Sequence, residues 1–534
     1  MTGVNPWRAL AVLCLANFLI LLDTTIVNTA APDIMAGIDA GIDEILWVLN
    51  GYLLAFASLL IVFGRLGDLV GPRRVFVAGL VVFTAASVLC GLAADPALLI
   101  AARVLQGVGA AALTPQALTL ISSIFPAERR GAAFGIFTAV AGVASVSGPT
   151  LGGLLITEFG WQSVFYMNVP FGIVGVVLAL RLVPELRSGR RPRFDGVGVA
   201  LATVALLCLV YGLVEGERHH WGVISGVISI PAILTVAVLL GVAFVLWERR
   251  QREPLVPLEL FRNRNYSVAT GITLITSFSM YGLLLVFVIE TQTLLGMSPL
   301  MSGVTALPWT IALSAVAPVG GRLADRVGGR LPLTVGLVLY AVGVLGVAFI
   351  PDSTSGFGTY VAPMLLTGVG MGLALAPATT EAMRGVLPPL AGAASGVLNT
   401  ARQTGAALGA AVIGAVLQNR LVSALREEAQ ALAERLPESV RPRFLSSFEE
   451  AAAHGLRLGS GQQGGITVPP DLPPDQQTLF TDLTREAFGS AFITAARPAL
   501  IVAAAALVVG AFLATRLTRH PTSAATPSPT PAEP

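Results

Sequence analysis

Gly64-Arg65-Leu66-Gly67-Asp68-Leu69-Val70-Gly71-Pro72-Arg73 returns further along the chain as Gly321-Arg322-Leu323-Ala324-Asp325-Arg326-Val327-Gly328-Gly329-Arg330. Gly, Leu, Asp, Gly and Arg recur at one constant offset, and each copy joins two long apolar runs. Such runs, about 20 residues each, match the length that crosses a hydrocarbon core of about 30 Å. Fourteen are legible: 9–31, 46–63, 75–94, 97–122, 132–156, 164–184, 196–214, 222–247, 267–290, 302–319, 332–350, 358–380, 392–418 and 491–515. The repeated loops follow the second and the tenth run, so both copies have the same direction through the membrane. Parallel repeats of this kind place a substrate site between two halves related by an axis along the membrane normal. Six spans per half leave the seventh and eighth as an insertion, giving six plus two plus six.

Composition agrees. Of 534 residues 54% are hydrophobic and 12% are charged, where soluble domains carry roughly 25% charged residues. So few charges do not cover a soluble surface of this size. A net charge of +2 with no isolated basic tract implies no nucleic-acid partner. Cys14, Cys90 and Cys208 fall inside apolar runs and read as packing residues, not as disulfides or metal ligands. Asp23 and Asn28 inside the first run, with further spans behind it, argue against a signal peptide. The chain contains no lysine, which excludes a Walker A loop, whose Lys reaches the nucleotide phosphates. Energy must come from an ion gradient or from another subunit.

Arginine beside the spans sets the orientation, because positive charge is retained on the cytoplasmic side. Arg65, Arg73, Arg74, Arg129, Arg130, the cluster Arg187–Arg193, Arg249–Arg264, Arg322–Arg330, Arg384, Arg516 and Arg519 all flank one side. The short connections opposite carry only Arg218. Both termini are therefore expected in the cytoplasm of a multi-pass protein of the cell membrane. Trp7 and Trp247 would mark the inner interface, and Trp47, Trp161 and Trp221 the outer one. The divisions read from these patterns are a first half over 1–185, inserted helices and linker over 186–265, a second half over 266–515 and a tail over 516–534. Within the second half, 419–488 reads as a solvated external loop with an amphipathic helix at 421–435 and a proline-rich stretch at 469–474. It could also contact an envelope partner. The Pro- and Thr-rich tail 521–534 reads as disordered.

Four motifs, in order and on the expected spans, carry a resemblance to a known family. They are Leu22-Asp23-Thr24-Thr25-Ile26-Val27-Asn28 followed by Ala31-Pro32, the Gly64–Arg74 loop, Arg103 with Gln106, Gly107 and Gly109, and Gly148-Pro149-Thr150-Leu151-Gly152-Gly153 preceded by Gly142. With Asn399-Thr400-Ala401-Arg402-Gln403-Thr404-Gly405, they resemble the major facilitator superfamily, in its fourteen-helix drug:proton antiporter branch of EmrB/QacA type. The resemblance spans roughly 8–515. It implies the all-α major facilitator fold and a transporter, and the fifth-helix motif favours efflux over uptake.

Asp23 lies near the middle of the first span, where a carboxylate costs roughly 2.5–3.5 kcal/mol on insertion scales. Burial and a nearby cation push its proton affinity in opposite directions, so a site balanced between them can load and release a proton. The alternative is a packing group bonded to Thr24 or Asn28. Arg103 is either its electrostatic partner, as the resemblance implies, or a snorkelling interfacial residue. Asp68 can cap or bridge to a neighbouring helix and to Arg73 or Arg74, with Gly64 and Gly71 allowing close approach. This loop, with Asp325 and Arg330 in the second copy, is expected to latch the outward-facing state. Gly148, Pro149, Gly152 and Gly153 would bend the fifth span and smooth its face. Glu290 departs from the branch pattern and is either an interfacial carboxylate or a second protonation or cation-recognition site. Asn28, Gln106, Asn399, Arg402 and Gln403 are candidate cavity-lining groups, alongside Phe18, Phe56, Phe134 and Phe278; Arg402 with Asn399 and Gln403 could instead form an interhelical hydrogen-bond network.

The resulting expectation is a proton-coupled exporter of amphiphilic or cationic small molecules, with no cofactor beyond the proton gradient. A dedicated exporter of one metabolite, antibiotic or lipid would share the fold. A membrane-embedded enzyme is the third class, but neither an HExxH zinc site nor a GxSxG elbow is present.

Overall fold

The computed structural model describes residues 5–185, 195–216, 218–219, 221–226, 228–251, 254–351, 355–438, 440–453 and 473–518. The first half comprises α1 (Pro6–Gly37), α2 (Ile42–Val70), α3 (Pro72–Gly91), α4 (Pro96–Ile124), α5 (Ala127–Phe159) and α6 (Asn168–Leu182, preceded by the single turn Ser163–Tyr166). The inserted pair is α7 (Gly196–Glu215) and α8 (Ile230–Glu248). The second half comprises α9 (Arg264–Ile289, continued by a π-turn over Glu290–Leu294), α10 (Pro299–Val327), α11 (Arg330–Phe349), α12 (Phe357–Met383), α13 (Ala391–Ala433), α14 (Arg441–Ala453) and α15 (Pro474–Ala514). Among the described residues, 13 helices are long and apolar enough to cross a membrane. The 33-residue α5, uncharged from Gly131 to Thr157, brings the spans to the expected fourteen.

Polar caps start the helices: Asp95, Ser229 and Ser298 each accept a backbone N–H three residues on, satisfying a donor the helix itself leaves free. Gly71 and Gly328 hold φ of 109° and 83°, a region costly for any residue with a Cβ. That requirement explains why glycine recurs at this place in both copies of the repeat. The cluster Arg187–Arg193, the stretch 469–472 and the tail 521–534 lie outside the described residues.

The eighth span begins later than expected. Residues Val223–Ser225 and Ile228–Ser229 pair as a small antiparallel hairpin, turning at Gly226 with φ 54°. β-Branched residues on either side of a glycine suit a hairpin better than a helix start. The inserted pair joins the first half through α7, where Trp47 meets Tyr211 and Asn50 donates to Glu215 at 3.3 Å. On α8, Val236, Val238, Leu239 and Val242 stay exposed, a surface suited to lipid.

α1 begins and α15 ends at the face that carries the arginine-rich loops. Trp7 packs edge-on against Phe125 at 5.0 Å, and Thr518 donates its N–H to Asn265 at the start of α9. Beyond the opposite face the expectation of a solvated loop over 419–488 is corrected. α13 has 43 residues, about 65 Å at 1.5 Å per residue, and so runs far past a hydrocarbon core of about 30 Å. Its end packs with α14 and the start of α15 around Leu421, Leu425, Leu432, Phe444, Phe448 and Phe480, all buried. Phe444 contacts Phe448 and Phe480 at 4.9 and 5.0 Å. Among the described residues of this cap no large apolar side chain is exposed.

Glycines set the approach of α13 to α9. A Cβ at Gly405 or Gly409 would lie 2.2 and 2.1 Å from the carbonyl oxygens of Leu274 and Phe278, distances only a backbone shift relieves. Gly409→Ala is expected to cost about 1–3 kcal/mol through overpacking. Gly271→Ala meets open space and should be neutral or stabilising by about 0.5–1 kcal/mol. Thermal unfolding of the two purified variants in detergent checks the contrast.

Candidate functional site

Five helices of the first half converge on Asp23. From α1 its Oδ2 receives Arg103 Nη1 of α4 at 2.5 Å. Its Oδ1 accepts Gln106 Nε2 at 2.8 Å and, from α6, Asn168 Nδ2 at 2.9 Å. Ser87 of α3 accepts from both amides, at 2.8 and 3.3 Å. Arg103 and Gln106 stand one helical turn apart and so share a face of α4. Arg103 also donates to Gln106 Oε1 at 2.7 Å and to the Val48 carbonyl of α2 at 3.2 Å. Its guanidinium lies 4.3 Å over the Tyr52 ring, within cation–π range. Asp23 and Arg103 are 0% and 1% exposed.

The network suits a carboxylate that changes charge. Removing one partner of a buried pair strands the other at a cost of about 3–5 kcal/mol. Arg103 is protected from that by Gln106 Oε1, the Val48 carbonyl and the Tyr52 face, which stay in place if Asp23 takes up a proton. Thr24 and Asn28 bond to the carbonyls of Ile20 and Thr24, so neither supplies the local bond to Asp23 that a packing role would use.

The two halves touch at the arginine-rich end through crossed contacts. Asp68 of α2 accepts the backbone N–H groups of Gly392 and Ala393, at 2.8 and 2.9 Å, from the first turn of α13. Asp325 of α10 accepts those of Gly131 and Ala132, at 2.9 and 3.1 Å, from α5. Each repeat thus supplies an aspartate that holds a helix of the other half. A Cβ at Gly64 would come 2.5 Å from the Gly392 carbonyl, and one at Gly131 would come 2.1 Å from that of Gly321. Thr119 and Ser395 hydroxyls, 3.0 Å apart, add a third bridge. Farther along, α5 leaves α10 and turns to α1, where a Cβ at Gly148 would strike Thr25 Oγ1.

The profile of the Major Facilitator Superfamily matches residues 13–410. The chain belongs to that superfamily. It is 37% identical over 436 residues to the multidrug resistance protein Stp of Mycobacterium tuberculosis (strain CDC 1551 / Oshkosh), covering 81% of this chain and 79% of that one. To the tetracenomycin C resistance and export protein of Streptomyces glaucescens it is 34% identical, covering 94% of this chain and 91% of the relative. The crystal structure of the human organic anion transporter MFSD10 (TETRAN) superposes with a TM-score of 0.58 at 14% identity, over 96% of this chain and 99% of that chain. At that identity the likeness is one of fold. The protein is thus a multi-pass membrane transporter and not an enzyme.

Within this major facilitator fold several expected positions are displaced. Arg73 donates to the Leu180 carbonyl and Arg74 pairs with Glu185 at 2.8 Å, because the Gly71 turn sends the first turn of α3 toward the end of α6. The arginine nearest Asp68 is Arg65, at 4.0 Å. Arg330 is exposed, and Arg384 stands beside Asp325 at 4.0 Å while pairing with Glu381 at 2.8 Å. Gln106 and Phe134 are interior residues, 0% and 1% exposed; the Asp23 carboxylate draws Gln106 inward. Asn399 is buried against the Ser395 carbonyl, whereas Phe18, Phe56, Phe278, Arg402 and Gln403 are half-buried and Asn28 is exposed. Gly152 meets Ile26, Gly153 meets nothing within 4 Å, and Pro149 lies within α5 with its side chain outside the described set. Glu290 is buried and accepts from the Tyr360 hydroxyl at 2.7 Å, on a π-turn, a distortion frequent at functional sites. Asn168, Ser87 and Tyr52 had no signal in spacing, since their partners lie on distant spans, whereas Arg65 and Arg384 stand three residues from Asp68 and Glu381.

Proposed function

We propose that this transporter is a proton-coupled exporter of amphiphilic small molecules, set in the cell membrane with its arginine-rich end in the cytoplasm. The observation that carries the reading is the sealed Asp23–Arg103 pair, whose arginine keeps other acceptors when the carboxylate is neutralised. Energy then comes from the proton gradient, with no cofactor. Asp23 takes a proton from outside, substrate leaves, and the halves rock so that the proton is released inside. The crossed aspartate contacts join the halves at the arginine-rich end, which supports reading this as the outward-facing arrangement. Export is supported by relatives whose names record resistance and export. Glu290 is a second carboxylate candidate in the other half.

Everted vesicles acidified inside test the reading. Adding amphiphilic compounds of each headgroup charge should discharge the pH gradient in vesicles holding the protein and not in empty ones. A gradient untouched by every compound would rule out proton-coupled export of this substrate class.

A further inference from the structure

Asp23 and Arg402 lie toward the middle of their spans and Arg103 and Glu290 nearer an end, and three of these four charges are accounted for. Asp23 and Arg103 neutralise one another, and Glu290 is held by Tyr360. The fourth is Arg402 of α13. Among the described residues no carboxylate comes within 4.0 Å of it. Its one hydrogen bond is long, Nη1 to Asn399 Oδ1 at 3.5 Å, and its Nε is buried with no partner.

Its place is the seam between the halves. Gly396 is the last glycine of α13 pressed on α2, with a Cβ 3.0 Å from the Leu60 carbonyl. Arg402 follows six residues later, about 9 Å along the helix, where α13 has parted from α2. Tyr281 of α9 stands within electrostatic reach of Arg402 and also of Tyr52, the first-half residue that covers Arg103. Tyr281 is 38% exposed. Tyr52 in turn stacks on Phe56 at 6.0 Å.

We infer that Arg402, with Asn399 and Tyr281 beside it, is a subsite for an ionised acidic group, so that the exported molecules are aromatic or apolar bodies carrying a carboxylate, sulfonate or phenolate. An arginine fork presents paired N–H donors in the geometry such groups accept. The inference rests on the transport reading above and deepens it by naming the headgroup. Bound acid supplies the counter-charge that the protein itself does not provide.

Three probes with one apolar body isolate the headgroup: pyrenesulfonate, pyrenemethanol and pyrenemethyl-trimethylammonium. None of the three titrates near neutral pH, so the probes do not carry protons themselves, and discharge of the gradient in everted vesicles is read against empty vesicles. The sulfonate should work at a half-saturating concentration at least about tenfold below those of the other two. Arg402→Gln should raise that concentration about tenfold or more, and Arg402→Lys less, because the ammonium keeps the charge without the fork. Arg402→Glu should turn the preference toward the trimethylammonium probe, a swap that loss of packing cannot produce. Wild-type discharge by the alcohol or ammonium probe but not the sulfonate would overturn the acid subsite while leaving export intact. So would an unchanged response of Arg402→Gln to the sulfonate. Silence with all three probes in wild type would instead bring down the transport reading and the subsite with it. The wild-type ranking stands even if a variant fails to fold.

Discussion

Asp23→Asn is expected to reduce gradient-driven transport in everted vesicles to the level of vesicles without the protein, while substrate exchange at equal pH continues. Asparagine keeps the size of the side chain and one acceptor oxygen, but its amide nitrogen cannot take up or release a proton. The variant folds because Arg103 retains Gln106 Oε1 at 2.7 Å and the Val48 carbonyl at 3.2 Å, with the Tyr52 ring beneath it. The destabilisation should therefore fall below the roughly 3–5 kcal/mol of a fully stranded buried charge.

Two readouts separate coupling from mere structure. Exchange across vesicles with no gradient measures the rocking of the halves, and it should survive. Its dependence on external pH should vanish, since asparagine places no titratable group at the point where Arg103, Gln106 and Asn168 converge. Variant exchange that is flat with pH supports Asp23 as the coupling group. Gradient-driven transport that persists in Asp23→Asn would move the role to another carboxylate, and Glu290 on its π-turn is the first to try.

Much of this architecture is legible in the chain because membrane physics leaves few options. Uncharged runs of spanning length have to be helices in lipid, and a loop repeated at one offset has to belong to matching halves. Asp23 and Arg103 are also legible, since mid-span charges are costly and need each other. Their companions are not. Asn168 and Ser87 are single polar residues on helices whose partner lies on α1, and no periodicity connects α3, α6 and α1. Asp68 reaches the other half, bonding to Gly392 and Ala393, but Arg73 and Arg74, which follow it in sequence, are carried away by the Gly71 turn. The helical cap was legible in part. Leu421, Leu425 and Leu432 keep a helical spacing, but the phenylalanines of α14 and α15 that cover them lie beyond intervening polar chain.

Removing both latch carboxylates, as Asp68→Ala with Asp325→Ala, is expected to move the protein from the arrangement seen here to one opened at the arginine-rich end. Each carboxylate accepts two backbone N–H groups from the other half, and hydrogen bonds to charged groups are worth about 1.5–3 kcal/mol each at most. These bonds exist only while that end is closed, and water replaces them when it opens. If about 1.4 kcal/mol per aspartate is the net difference, each substitution shifts the equilibrium about tenfold and the pair about a hundredfold. Spin labels at the exposed Val70 and Leu387, near the α2 and α13 ends that Asp68 joins, would report the change as a longer distance. The single variants should fall between wild type and the double variant. Gly64→Leu should act in the same direction by a different force, since its side chain would meet the Gly392 carbonyl where a Cβ already comes within 2.5 Å. Distances unchanged in the double variant would mean that the glycine-lined contacts and the Thr119–Ser395 bridge hold the end closed without the aspartates. Agreement between the charge-removing and the space-filling variants would assign the latch to the repeated loop itself, because the two act on the same contact and share no chemistry.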